Sequence, residues 1–360
     1  MKNNFSIEKK ELTCILINVI SAKMLFSYPR NLVLNAGNAA WIQTIFVSLI
    51  SLVVFWIVLN LYKKSQMKSI IELSSDVGGK PFRIIVGTIL FLTLLFNSSL
   101  TMRMLPETIK TVLLPMTPMR LIILIMAVAI SFGAYMGIFS IARIHSIFIP
   151  VSGLLLALFF VLLLHNTDIT NLFPIFGEGT YNIFIEGLPS VSIFSDIIVL
   201  FILLPLCKNY DKVKSAGRIA LILSTIINVL IVLFYNLLYS FPSSKEFMLP
   251  VYQMSRLIKI GDFFQRLEAF FSFVWAFDIL LYSSLYLFCL ARIWQETFGL
   301  KFYKPLILPV SALMSAVSFM PSSTAKIVDM QNLSSLLSIP VSFLLPVGIL
   351  LLFIRKKGAK

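Results

Sequence analysis

Runs of about twenty apolar residues, separated by short polar gaps, recur along the whole of this 360-residue chain. They predict ten membrane spans at 12–34, 40–62, 82–105, 118–135, 144–164, 180–207, 217–241, 266–291, 304–320 and 333–354. The polar arm before the first span lacks a short apolar stretch with a small-residue cleavage site, so that span reads as retained.

Two spans break their own pattern. The first reads CILINVISAKMLFSYPRNLVL, and the sixth YNIFIEGLPSVSIFSDIIVLFILLPLC. Pro29 has no N–H and disfavours helical dihedrals at Tyr28, while Ser27 stands where a new half-helix would be capped. Gly187, Pro189, Ser190 and Ser192 interrupt the sixth span in the same manner. Interrupted backbone is tolerated at membrane depth only beside protein or a hydrated cavity, and half-helix N-termini carry partial positive charge suited to a carboxylate. A break can also be a plain proline kink, but two at matched positions point to a binding site. With breaks in spans one and six, the chain divides into halves at about 12–164 and 180–354. The expected architecture is an all-α polytopic membrane protein in one integral membrane domain, about ten helices as a 5+5 inverted repeat, with discontinuous helices 1 and 6 and no soluble domain.

Composition agrees: 58% hydrophobic residues, 13% charged and a mean hydropathy of +0.93 exceed what a soluble core of this length could bury. The net charge of +14 raises nucleic acid as a partner, but its distribution argues for topology instead. With the N-terminus cytoplasmic, inner segments hold 20 of the 30 basic residues, outer segments 7 and the spans 3. Both termini are then expected in the cytoplasm, with Arg355, Lys356 and Lys357 at anionic lipid heads.

Cys14, Cys207 and Cys289 have neither disulfide nor metal spacing, and His145 and His165 stand at opposite ends of the fifth span. Phosphate loops, nucleophile elbows and metal-ligand clusters are lacking from the sequence, so no catalytic residue, metal or cofactor is expected. The informative residues are charges at membrane depth. Lys23 lies about 16 Å along the helix from Leu12, and Asp196 about 16 Å from Cys207, both near the midplane. Asp278 is central in the eighth span, where Glu268, Trp275 and Tyr282 share one side of the helix. Lys23, Asp196, Asp278 and Glu268 form a candidate intramembrane charge network, which could hold the bundle together, contact a ligand or relay protons. Arg30, Arg103 and Glu107 lie nearer the outer ends.

The run YPRNLVLNAGNAAWI, then LLPMTP, GIFSIARIHSIFIP, FPIFGEG and FFQRLEAFFSFVW, in this order, resembles the endospore germination permeases. These are the B subunits of nutrient germinant receptors, within the amino acid/polyamine/organocation transporter superfamily. The resemblance covers almost the entire chain. It implies a multi-pass protein of the spore inner membrane that binds a small nutrient such as an amino acid and works with an A-type subunit and a C-type lipoprotein subunit. It also implies a ligand site between helices 1, 3, 6 and 8, which here maps to Phe26, Ser27, Tyr28, Asn97, Thr101, Ser190, Ser192, Asp196 and Trp275. Two features depart from such permeases: SAKML precedes the first break where glycine is usual, and the lysine stands on helix 1 while helix 8 carries Asp278. The second departure predicts a Lys23–Asp278 pair across helices 1 and 8. The leading functional reading is a sensor whose conformational balance is biased by a bound nutrient. An amino acid or amine permease is the alternative, and an ion-conducting or scaffolding subunit a third.

Overall fold

A computed structural model describes residues 6–65, 67–112, 114–258 and 267–358. The predicted start of the eighth span at 266, residues 263–266 of its motif and Leu113 lie outside that set. The described residues form helices without a strand: α1 (Lys9–Ser21), α2 (Tyr28–Ala36), α3 (Ala40–Tyr62), α4 (Ile70–Val112), α5 (Met119–Met136), α6 (Ile138–Leu163), α7 (Ile198–Leu203), α8 (Tyr210–Leu238), α9 (Pro250–Ser255), α10 (Leu267–Phe298), α11 (Ile307–Ser318), α12 (Thr324–Ile339) and α13 (Leu345–Gly358). The chain is an all-α polytopic membrane protein. Among the described residues, eight segments are long and apolar enough to cross a bilayer. The other two predicted spans differ for local reasons. The first is cut into α1, a 3₁₀ turn at Ala22–Leu25 and α2, which runs on toward α3. The ninth is a short apolar helix over Lys304–Ser318.

Both expected breaks are present. After the 3₁₀ turn, Phe26 leaves helical geometry at φ −114° and ψ −128°, and α2 restarts at Tyr28 with Pro29 in its first turn, where a missing N–H costs nothing. Ser27 occupies the N-cap position, but its side chain makes no cap bond, contrary to expectation; the hydroxyl is turned to another helix. In the sixth span a π turn at Asn182–Glu186 leads into 3₁₀ helix over Leu188–Ile197, and α-helix resumes at Ile198. Ten residues of 3₁₀ are long for a geometry normally confined to three or four. Gly187 sets the bend: a Cβ there would lie 2.3 Å from the Ile183 carbonyl oxygen and 2.9 Å from Gln43 Cγ.

The broken spans form the centre of the bundle. The most hydrophobic window of Asn182–Leu206 is 83% buried, against 22% for the α6 span, whose Ile147, Leu154 and Val161 face outward. Around the sixth span, α1 packs on α6 and α8, α10 on α4 and α5, and α12 on α4 and the 3₁₀ segment of the sixth span. Gly79 breaks α4 (φ +71°), so that 70–78 turns away from the span proper.

Candidate functional site

The break in the first span lowers Lys23 into the protein interior, 7% exposed, on a 3₁₀ turn rather than a regular helix. Asp196, fully buried, is the penultimate residue of the 3₁₀ stretch of the sixth span, two residues before α7. The Lys23 ammonium stands 2.6 Å from Asp196 Oδ2. The other carboxylate oxygen accepts from the Tyr286 hydroxyl and from Asn97 Nδ2 at 3.2 Å. Thr101 donates to the Asn97 carbonyl at 3.0 Å, and the Tyr282 ring lies 4.4 Å from that of Tyr286. One ion pair thus ties the breaks of the first and sixth spans to α4 and α10. A buried charge pair is sustained when both ions keep close partners and the spare lone pairs are bonded, as Oδ1 is here.

This corrects the expected Lys23–Asp278 pair. Asp278 instead accepts from Asn18 Nδ2 at 3.4 Å and from the Ser152 hydroxyl at 2.8 Å, beside a space of about 60 Å³ that Trp275 and Ser21 also line. The physical reason is register along α10. Asp278 precedes Tyr286 by eight residues, about 12 Å of helix, and Glu268 precedes it by eighteen, about 27 Å. Lys23 and Asp196 therefore meet at one level, while Asp278 and Glu268 lie at two others along α10. Glu268 is buried near the start of α10, where its carbonyl accepts from Ser272 at 2.7 Å.

A second, larger cavity of about 420 Å³ lies between α2, the start of the sixth span and α12. Tyr28, Ser190 and Ser192, three of the residues mapped from the resemblance, line it. The remaining polar wall was not anticipated: Asn31 and Asn35 on α2, Glu186 in the π turn, and Asn332 and Ser335 on α12. The Tyr28 hydroxyl bonds Ser192 at 2.7 Å and Ser335 at 3.1 Å, while Asn31 Nδ2 donates to Asn332 Oδ1 at 3.1 Å. Close by, the Ser27 hydroxyl donates to Gln331 Oε1 at 3.2 Å, and Gln43 Nε2 donates to Ser190 at 2.9 Å. The α12 residues had a readable signal, since Gln331, Asn332 and Ser335 share one face of the helix at helical spacing. Asn31 and Asn35, four apart on α2, had the same.

The nominated residues are therefore distributed over three layers. Tyr28, Ser190 and Ser192 face the larger cavity; Lys23, Asn97, Thr101 and Asp196 form the bonded cluster; Trp275 lines the small space by Asp278. Trp275 meets Phe271 and Phe159 at centroid distances of 6.1 and 6.0 Å, a packing environment, and Phe26 is buried in the core.

Residues 6–327 match the family model described as spore germination protein. Spore germination protein A2 of Bacillus subtilis strain 168 is 28% identical over 296 residues, covering 79% of this chain and 79% of its own. Spore germination protein B2 of the same strain is 23% identical over 270 residues, 73% of this chain and 72% of its own. A third relative from that strain, YfkT, is 26% identical over 347 residues and covers 92% of each chain. With the match running through the broken spans and the ion pair they share, this chain belongs to the spore germination protein, or spore permease, family.

Proposed function

We propose that this chain is the membrane subunit of a spore germinant receptor, binding a small nutrient such as an amino acid and signalling germination. The observation that carries the reading is the cavity of about 420 Å³ between the two broken spans, walled by amides, hydroxyls and the Glu186 carboxylate, with the Lys23–Asp196 pair at the same breaks. A solute entering the cavity competes for the hydrogen bonds that Tyr28 makes to Ser192 and Ser335. Because those bonds join α2, the sixth span and α12, a ligand favouring one arrangement of the three shifts the balance of the bundle, and that difference in affinity is the signal. Tyr28, Ser190 and Ser192 contact the ligand, with Asn31 and Asn332 beside them. Lys23, Asn97, Thr101 and Asp196 hold the breaks in register, while Phe26, Ser27 and Trp275 support the walls.

In this reading the protein sits in the spore inner membrane with both termini cytoplasmic, as a 5+5 inverted repeat in one domain. It works with an A-type subunit bearing soluble domains and a C-type lipoprotein subunit; it is a binding subunit, not an enzyme, and takes no nucleic acid. Spores lacking the chain are expected to lose response to one nutrient class, regained with wild type and not with Asp196→Asn. An unchanged response to every nutrient overturns the reading. The alternative, an amino acid or amine permease, draws on the small, mostly apolar space bordering the first span, into which Asp278, Asn18 and Ser21 bring polar groups. Substrate-dependent flux in proteoliposomes would favour it.

A further inference from the structure

We infer that the groove between α5 and α11 is a binding site for an anionic phospholipid, an acyl chain lying along it and the phosphodiester resting on Lys304. The groove encloses about 950 Å³ on the outside of the bundle. Its walls are large apolar residues that stand exposed: Leu124, Val128 and Phe132 on α5, Leu308 on α11 and Phe319 just after it. Its floor is small, with Ala127 and Ala312, and with Ser131 and Ser311 bonded to each other at 2.8 Å, so these two hydroxyls ask for no polar visitor.

Lys304 is the only ionisable side chain among the lining residues apart from the Tyr135 phenol beneath it, and it stands at the mouth, on the turn that starts the helix. Its ammonium lies over the Tyr135 ring at 4.5 Å, and among the described residues it has no acidic partner. A hydrocarbon trough with a basic side chain at its end complements a molecule with an apolar chain and an anionic head. The depth of the wall agrees. Lys304–Ser318 spans about 22 Å, short of the roughly 30 Å hydrocarbon core, so the bilayer thins beside it and brings lipid headgroups toward Lys304.

The test is native mass spectrometry of the purified full chain titrated with phosphatidylglycerol or phosphatidylcholine. Wild type is expected to retain one phosphatidylglycerol in preference to phosphatidylcholine. Lys304→Ala should weaken that adduct about fivefold, the effect of one basic residue at an anionic surface. Ala312→Phe, which fills an exposed position in the trough, should remove it, and Lys357→Ala, in the exposed tail, should leave it unchanged. Equal retention of both lipids by wild type, or undiminished phosphatidylglycerol in Lys304→Ala and Ala312→Phe, overturns the assignment. So do chain dimers without lipid that Ala312→Phe abolishes, which would give the groove to a second copy.

Discussion

Moving Lys23 and Asp196 from water into the centre of the bundle costs several kcal/mol per ion, which their contact at 2.6 Å and the bonds to Oδ1 must offset. The pair is therefore more sensitive to losing one member than to losing both. Lys23→Met and Asp196→Leu are each expected to destabilise the purified protein by about 3–5 kcal/mol, and the double variant to regain much of that loss. Thermal unfolding in detergent checks this, and additive losses would show that the two charges do not act on each other. A second residue-scale expectation concerns Gly187, where a methyl group would meet the Ile183 carbonyl oxygen and the Gln43 side chain. Gly187→Ala should cost about 1–3 kcal/mol by overpacking, read in the same melt.

Among the elements, α12 packs on the sixth span and is tied to α2, and through Tyr28 to Ser192, by side-chain hydrogen bonds. Tyr28 to Ser192 and Ser335, Ser27 to Gln331, and Asn31 to Asn332 make the connection. Pro340 then begins a π turn at Pro340–Leu344 before α13, the kind of irregularity at which a helix bends. Tyr28→Phe keeps the ring but removes the hydroxyl shared by both serines. A cysteine placed at Asn332 should then react faster with a membrane-impermeant thiol reagent than in the parent. The native background is low, because Cys14, Cys207 and Cys289 are all buried. An unchanged rate would mean that the hydroxyl does not hold α12 in place.

On the scale of the whole molecule, the basic residues predict which ends of the spans face the cytoplasm. Met116, 94% exposed between α4 and α5, and Lys64, exposed after α3, should then lie on opposite sides of the membrane. In intact cells, Met116→Cys is expected to be labelled by the impermeant reagent, and Lys64→Cys only after permeabilisation; the reverse pattern inverts the topology.

The helical segments, their order and the two breaks were determined by the sequence alone, whereas the first and ninth spans were shorter than it predicted. Lipid leaves the backbone few alternatives to a helix, and Pro29, Gly187 and Pro189 interrupt one locally. Depth was legible too, since 1.5 Å per residue places Lys23 and Asp196 near the same level. What the sequence left open was which side chains meet. Lys23 had two buried aspartates within plausible reach, and the choice of Asp196 over Asp278 depends on how α1, α4 and α10 rotate and slide around the sixth span. Tyr286, Gln331 and Asn332 joined the site for the same reason. Helical periodicity shows which residues share a face, but only the packing of the spans decides which face turns inward and what it finds there.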